Sequence, residues 1–334
     1  MPAMRYLITG GSGYIGTRLI GRLAERDETE RIVIADIRPP AAFRPKVAYE
    51  RLDVRDAQAA RSLLERERPD ALVHLAFVLN PMHDENAMYE IDVGGTQNIL
   101  EAASAAGTQQ VLVTSSGTAY GGFPDNPVPI AEDWPVRGVP DFEYARDKSE
   151  CDRLCQLWAL RHPDRVMTIV RPCIVFGPNV DNYIVRAWLK QPFFADFGLP
   201  DQDVQYVHED DVGEALIRLL DGRHDGAFNV AGDGTMTWRE CAEMIGMPSR
   251  RVPRGLYWKF GELMWRLRLS ETPPGNLHFI IHPWVVSTEK LKETTGWSPR
   301  HTTRETFEIT MRARGKLGPG EPSERPEIAA PVGA

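Results

Sequence analysis

Tyr144-Ala145-Arg146-Asp147-Lys148 places a phenol and an ammonium four residues apart, on one face if the segment is helical. An ammonium beside a phenol favours the phenolate. The spacing therefore predicts a Tyr144 pKa lowered towards neutrality, as a general acid/base requires. Tyr-x-x-x-Lys is common on solvated helices, and its weight here comes from what precedes it. Thr9-Gly10-Gly11-Ser12-Gly13-Tyr14-Ile15-Gly16 follows a short apolar run and leads into an apolar helical one, Thr17 to Ala24. Glycines let a backbone turn tightly against a pyrophosphate, whose charge then meets the N–H groups of a helix start. Gly10, Gly13 and Gly16, with Tyr14 and Ile15 between the last two, are candidate cofactor-binding residues. A second apolar run ends at Asp36, twenty residues after Gly16. A carboxylate there accepts hydrogen bonds from an adenosine ribose and repels a 2′-phosphate, which predicts NAD rather than NADP. Arg38 is the neighbouring group able to pair with such a phosphate, and plain turn chemistry is the other reading of Asp36.

The elements that must position these groups alternate. Apolar runs at 5–9, 31–36, 71–75, 110–115 and 166–171 are interleaved with longer amphipathic stretches at 14–26, 57–67, 86–106 and 144–161. This rhythm predicts an α/β fold, a doubly wound parallel sheet with helices on both faces. Ser115, Ser116 and Thr118 follow the run at Val111, beyond the C-terminal end of a strand, where ligands of such sheets bind. After Pro178 the rhythm breaks. Residues 1–176 are expected to form the dinucleotide-binding domain, with late strands near 203–232 joining it. Residues 177–314 are expected to form an interleaved substrate domain, in which 179–200 reads as loop, and the Pro-, Gly- and Glu-rich 315–334 as a disordered tail. Leu256 to Leu267 repeats large apolar residues at helical spacing and reads as core or dimer surface sooner than as a lipid-binding lid.

Composition is that of a soluble enzyme, with 42% hydrophobic and 26% charged residues. A net charge of −8 argues against general attraction to nucleic acid or membrane, both anionic. No signal peptide or membrane-spanning run is read, and Cys151, Cys155, Cys173 and Cys241 lack zinc or disulfide spacing, so a cytoplasmic location and no metal are expected.

Taken together, TGGSGYIG, Asp36, Leu52-Asp53-Val54, His74-Leu75-Ala76, Val93-Gly94-Gly95-Thr96, SSGTAYG, YARDK, Arg171-Pro172 to Pro178, Tyr206 to Val212 and Phe228-Asn229-Val230 resemble the extended short-chain dehydrogenase/reductases of the NAD-dependent epimerase/dehydratase type, over residues 4–310. The resemblance implies that Tyr144 moves the proton at the reacting carbinol, that Lys148 holds the nicotinamide ribose, and that Ser116 hydrogen-bonds the substrate oxygen. It places Asp53 and Val54 at the adenine, Leu75, Ala76 and Phe77 along the cofactor cleft, and Pro172, Ile174 and Val175 beside the nicotinamide. Asn80, Thr118, Asn179, Tyr183 and Arg186 are the candidate substrate contacts. His83 reads as a solvated loop residue, and His208 as much a buried structural residue as a functional one.

The departures bear on the reaction. Dehydratases of the family carry Asp-Glu where Gly117 and Thr118 stand, which argues against elimination of water. Ile174 stands near the place of an Asn that contacts the diphosphate in many sugar-nucleotide epimerases, and Asp92 where many members have Asn. The expectation is a UDP-glucose 4-epimerase-like enzyme, a homodimer acting on a small-molecule substrate. The alternatives are a dehydrogenase of a sterol-, lipid- or polyketide-like alcohol, and a non-catalytic cofactor-binding protein.

Overall fold

Runs of Val, Ile and Leu bounded by turn residues fold as strands buried on both faces. In the computed structural model, which describes residues 3–318, they are β1 (Met4–Thr9), β2 (Thr29–Asp36), β3 (Val47–Arg51), β4 (Ala71–His74), β5 (Gln110–Thr114), β6 (Val166–Pro172) and β7 (Gly226–Val230). They form one sheet in the order β7-β6-β5-β4-β1-β2-β3, and every neighbouring pair is parallel. Helices α1 (Tyr14–Ala24), α2 (Ala57–Glu67), α3 (Gly95–Ala106) and α4 (Glu143–Arg161) connect the strands. Leu7 and Ile8, adjacent on β1, belong to two different hydrophobic clusters, one on each face of the sheet. From β1 the chain runs outward to β2 and β3, then returns to β4 on the other side. The crevice at that reversal is where doubly wound sheets bind ligands.

The sequence reading and the structure differ in several places. β3 was not foreseen, because Val-Ala-Tyr-Glu-Arg is an edge strand with no fully buried residue and two charges. The expected loop 179–200 contains a helix, α5 (Tyr183–Lys190), whose N-cap Asn182 accepts from the Val185 N–H and which buries Tyr183, Val185 and Trp188. The stretch 86–106 is broken by a π-turn at Glu90–Gly94. Among the late segments β7 joins the sheet, whereas Tyr206–His208 pairs with Ile174–Phe176 and Asp203–Val204 with Met236–Thr237. Helix α6 (Glu209–Gly222) packs against α1. Helix α7 (Arg254–Arg266), read as core or dimer surface, is not core, since none of its residues is buried. Of the expected disordered tail, residues 319–334 lie outside the described residues, and Leu317 packs against the core.

Two buried polar groups fix the ends of the central strands. His74 is sealed between Thr9 Oγ1 at 2.6 Å and Thr96 Oγ1 at 3.1 Å. The Thr96 hydroxyl donates to the Asp92 carbonyl, so His74 Nε2 carries the proton and Nδ1 accepts from Thr9. The second group is Arg171 on β6, whose guanidinium grips Asp152 on α4 through two bonds of 2.8 Å. Asp152 also accepts from the Ser115 hydroxyl at 2.6 Å. Arg171 Nη1 donates to the Tyr120 hydroxyl, which donates in turn to Asn229 on β7. Asp152 lies one helical turn beyond Lys148, so this network holds α4 against the strand ends.

Replacing Asp152 by Ala should destabilise the protein by about 3–5 kcal/mol, because Arg171 would stay buried without its partner. Arg171→Met added to it should restore part of the loss in urea midpoints. A loss under about 1 kcal/mol would show that the pair holds little. Burial lowers the His74 pKa to about 3 from the ordinary 6.5. The folded state then binds fewer protons than the unfolded one between those values, so His74 stabilises above pH 6.5 and this stability is lost as pH falls towards 3. The slope should be up to about 1.4 kcal/mol per pH unit in urea titrations, and smaller in His74→Gln.

Candidate active site

The glycine turn is built as its spacing requires. Gly10 has φ +67°, and a side chain there would meet the Ala76 backbone N at 2.5 Å. At Gly16 it would meet the Gly11 carbonyl at 2.6 Å. The turn is thereby pressed against the end of β4, and Gly13 leads into α1 with its first N–H groups free of side-chain caps. Asp36 is anchored beside it. Its carboxylate accepts from the Ser12 N–H at 3.1 Å and the Arg38 N–H at 3.1 Å, while Ser12 Oγ donates to the Arg38 carbonyl. A loop open to a phosphate, a helix start and a carboxylate at the next strand end fit a dinucleotide. Further support for the turn comes from far along the chain. Glu209 accepts from the Tyr14 hydroxyl and from Arg18 at 2.5 Å.

From this turn a cavity of about 790 Å³ runs past Ser116, Tyr144 and Lys148 to α7. Gly10, Gly13, Tyr14, Ile15, Gly16, Leu75 and Phe77 line its cofactor end, with Pro172, Ile174 and Val175. Ala76, Asp36, Asp53 and Val54 do not line it. Val54 is buried against Gly95, and Arg55 beside Asp53 holds that carboxyl below its usual range.

Ser116 caps the short 3₁₀ turn Gly117–Tyr120. Its Oγ receives the Thr118 N–H at 3.1 Å and the Thr118 hydroxyl at 2.8 Å. Its acceptor positions are thus taken, and its own proton is left for the Tyr144 hydroxyl. Tyr144 stands in the first turn of α4, edge-on to Phe77 at 5.7 Å. Lys148 is buried, donates to the Thr114 carbonyl at 2.7 Å and lies 3.4 Å over the Phe77 ring. Its nitrogen is 6.0 Å from the centre of the Tyr144 ring. The expected lowering of the Tyr144 pKa is not found in this arrangement. Burial pushes the phenol above its ordinary range, a hydrogen bond with Ser116 pulls the other way, and the ammonium is engaged by a carbonyl and a ring instead. Burial likewise draws Lys148 below its ordinary range and raises Asp92. One Asp92 oxygen accepts from the Val78 N–H at 2.8 Å and the other has no partner. Neutral, this carboxyl offers one acceptor and one donor, the pair that an asparagine side chain would offer.

The substrate candidates separate. Thr118, Tyr183 and Arg186 line the cavity. Asn80 does not: its Oδ1 accepts from the Tyr183 N–H and from Arg186, bracing α5. Asn179 does not either, since it donates to Glu209 at 2.5 Å. His83 is exposed, as a solvated loop residue would be, but its ring stacks on Trp265 at 3.8 Å. His208 is buried and caps α6, accepting from the Asp210 N–H. Much of the rest of the wall was not foreseen. Trp238, Phe279 and Trp284 come from segments without a strong period, Tyr257, Phe260 and Met264 from the periodic helix α7, and only their packing reveals a shared cavity. Among the described residues Glu271 is the one carboxylate on the wall, and it holds Arg186 at 2.6 Å and Lys190 at 2.5 Å. No carboxylate lines the cavity at Gly117 or Thr118. Among the described residues no helix is long and apolar enough to cross a membrane, and no cluster has the make-up of a metal site.

Residues 6–231 match the family described as NAD dependent epimerase/dehydratase. A curated but uncharacterised protein of Mycobacterium tuberculosis is 25% identical over 316 residues, covering 92% of this chain and 84% of its own. GDP-6-deoxy-D-mannose reductase of Pseudomonas aeruginosa is 26% identical over 322 residues, covering 92% of this chain and 96% of its own. The NAD complex of Thermus thermophilus UDP-glucose 4-epimerase shares the fold, with a TM-score of 0.72 and 23% identity, covering 94% of this chain and 100% of that one. The Rossmann-like sheet, the glycine turn and the match across two thirds of the chain lead to one assignment: the protein belongs to the NAD-dependent epimerase/dehydratase family of extended short-chain dehydrogenase/reductases.

Proposed function

We propose that the protein interconverts a secondary alcohol and its ketone, with Tyr144 as the proton-transfer group. The observation that carries this reading is the convergence of Ser116, Tyr144 and Lys148 midway along a cavity whose far end is the glycine turn. Bound NAD supplies the hydride acceptor or donor. Ser116, whose proton meets the Tyr144 hydroxyl while no substrate is bound, turns it to the substrate oxygen and so orients that oxygen. Tyr144, kept neutral by burial, gives its proton to a forming alkoxide, and as phenolate takes one back in the oxidising direction. Lys148, with ammonium protons left beyond its bond to Thr114, holds the nicotinamide ribose and steadies that phenolate. The anchored Asp36 accepts from the adenosine ribose.

For the substrate, the wall favours a dehydrogenase of an apolar alcohol or ketone. Beyond Tyr144 its largest side chains are three tryptophans and three phenylalanines, Asn179 is engaged elsewhere, and the two wall cations are taken up by Glu271. The expected 4-epimerisation of a nucleotide sugar is the second reading, favoured by those same cations, because movement of Glu271 would free Arg186 and Lys190 for a diphosphate. A homodimer belongs to the proposal as well: Leu157 and Leu160 stand exposed on α4.

Tyr144→Phe should keep fold and NAD affinity while lowering turnover at least about a hundredfold; turnover at the native rate would refute the assignment. Mass spectrometry separates the reactions. A product lighter by two hydrogens, with matching NADH, marks the dehydrogenase, and an inverted centre at unchanged mass marks the epimerase. Loss of water would overturn both. Titration of the two dinucleotides should show NAD bound more tightly than NADP, with the gap narrowed in Asp36→Ala; tighter NADP binding by the native protein would refute the role of Asp36.

A further inference from the structure

The outer face of α7 and the residues after it differ from the rest of the surface. Leu256, Phe260, Leu263 and Leu267 recur at intervals of four, three and four residues, one stripe of a helix, and are 63%, 60%, 53% and 57% exposed. Leu269 continues the patch at 67%. An apolar stripe turned to water on a well-packed protein marks a contact surface. The opposite side of the helix is held down. Trp265 stacks on His83 at 3.8 Å and Trp258 meets His278 edge-on at 6.1 Å.

The charge around the stripe identifies its partner. Residues 249–269 carry six basic side chains and one acid, in a chain whose net charge is −8. Arg266 pairs with Glu262 and Arg251 with Asp196, while Arg250, which lies over the Phe193 ring, and Arg254, Lys259 and Arg268 form no ion pair among the described residues. A second copy of the same face would bring these cations against one another. An anionic lipid surface satisfies them and buries the leucines and Phe260 together. We propose that this face of α7 docks on anionic membrane. The overall charge argued against that partner, but the screening length at physiological salt is about 8 Å, so a local basic patch acts largely on its own. Phe260 and Leu269 also line the cavity. The docked face is therefore continuous with the substrate chamber, and an apolar alcohol can pass from lipid to Tyr144 without crossing water. This last step rests on the apolar-substrate reading above; the docking does not.

The test is partitioning of the full chain onto vesicles of phosphatidylcholine alone and of phosphatidylcholine with phosphatidylglycerol, without substrate. Binding is expected only on the anionic vesicles and should fall as salt is raised. Arg254→Glu with Lys259→Glu should weaken it on the order of 20-fold or more. Leu256→Ser with Leu263→Ser should abolish it. These four side chains do not line the cavity, so NAD affinity and melting temperature should be unchanged in both variants. Absence of native binding, equal binding to neutral vesicles, or binding that both variants retain would overturn the proposal. Self-association of the native protein that Leu256→Ser with Leu263→Ser abolishes would overturn it too, in favour of a second copy. Docking that holds while only nucleotide sugars turn over would instead overturn the substrate reading alone.

Discussion

Everything at the site hangs on one buried ion pair. Arg171 and Asp152 have given up almost all contact with water, a state tolerated only because each remaining donor and acceptor has a partner. The partners are what matter for the site. Ser115 precedes Ser116, Tyr120 closes the turn that Ser116 caps, and Asp152 stands one turn from Lys148. A single guanidinium thus sets the distance between the strand end carrying one hydroxyl and the helix carrying the phenol and the ammonium. Hydrophobic packing holds α4 near the sheet, and the directional bonds fix its register along it.

Inside that frame the electrostatics follow from burial more than from neighbouring charges. The phenol, the ammonium and Asp92 are all driven towards their neutral forms, because burial outweighs the attraction between Lys148 and Asp92. The helix start behind the glycine turn, by contrast, presents bare N–H groups. The two ends of the cavity therefore differ: the glycine end offers backbone N–H groups to a dinucleotide, and the far end a mainly aromatic and aliphatic wall with the Arg186–Glu271–Lys190 cluster in it.

Much of this was legible in the residues. Strand and helix positions in the first half emerge from periodicity because each strand is buried on both faces and each helix on one. Gly10 and Gly16 are readable because only glycine fits where the turn presses on Ala76 and Gly11. The parts that were not legible have physical causes. β3 is an edge strand with little burial to pattern it, and α5 was hidden by aromatic residues that pack from several directions. The Tyr144–Lys148 spacing correctly gives a shared helix, but spacing says nothing of Thr114 and Phe77, which decide where the ammonium points. Asn80 and Asn179 were chosen by position along the chain, and each proves to be a brace. An apolar helix reads as core or as dimer surface in one dimension, and only the exposure of its leucines rules out the core.

The brace on the glycine turn sets an order of events during synthesis. Tyr14 leaves the ribosome early, and Glu209, which receives its hydroxyl, follows 195 residues later. β7 and its Asn229 come later still. A nascent chain thus exposes its dinucleotide loop, held by Asp36 and the end of β4 alone, long before the Glu209 brace arrives, and chain elongation sets when the loop is complete. Fragments ending before the start of α6 would carry the whole fingerprint and lack the carboxylate that holds it in place.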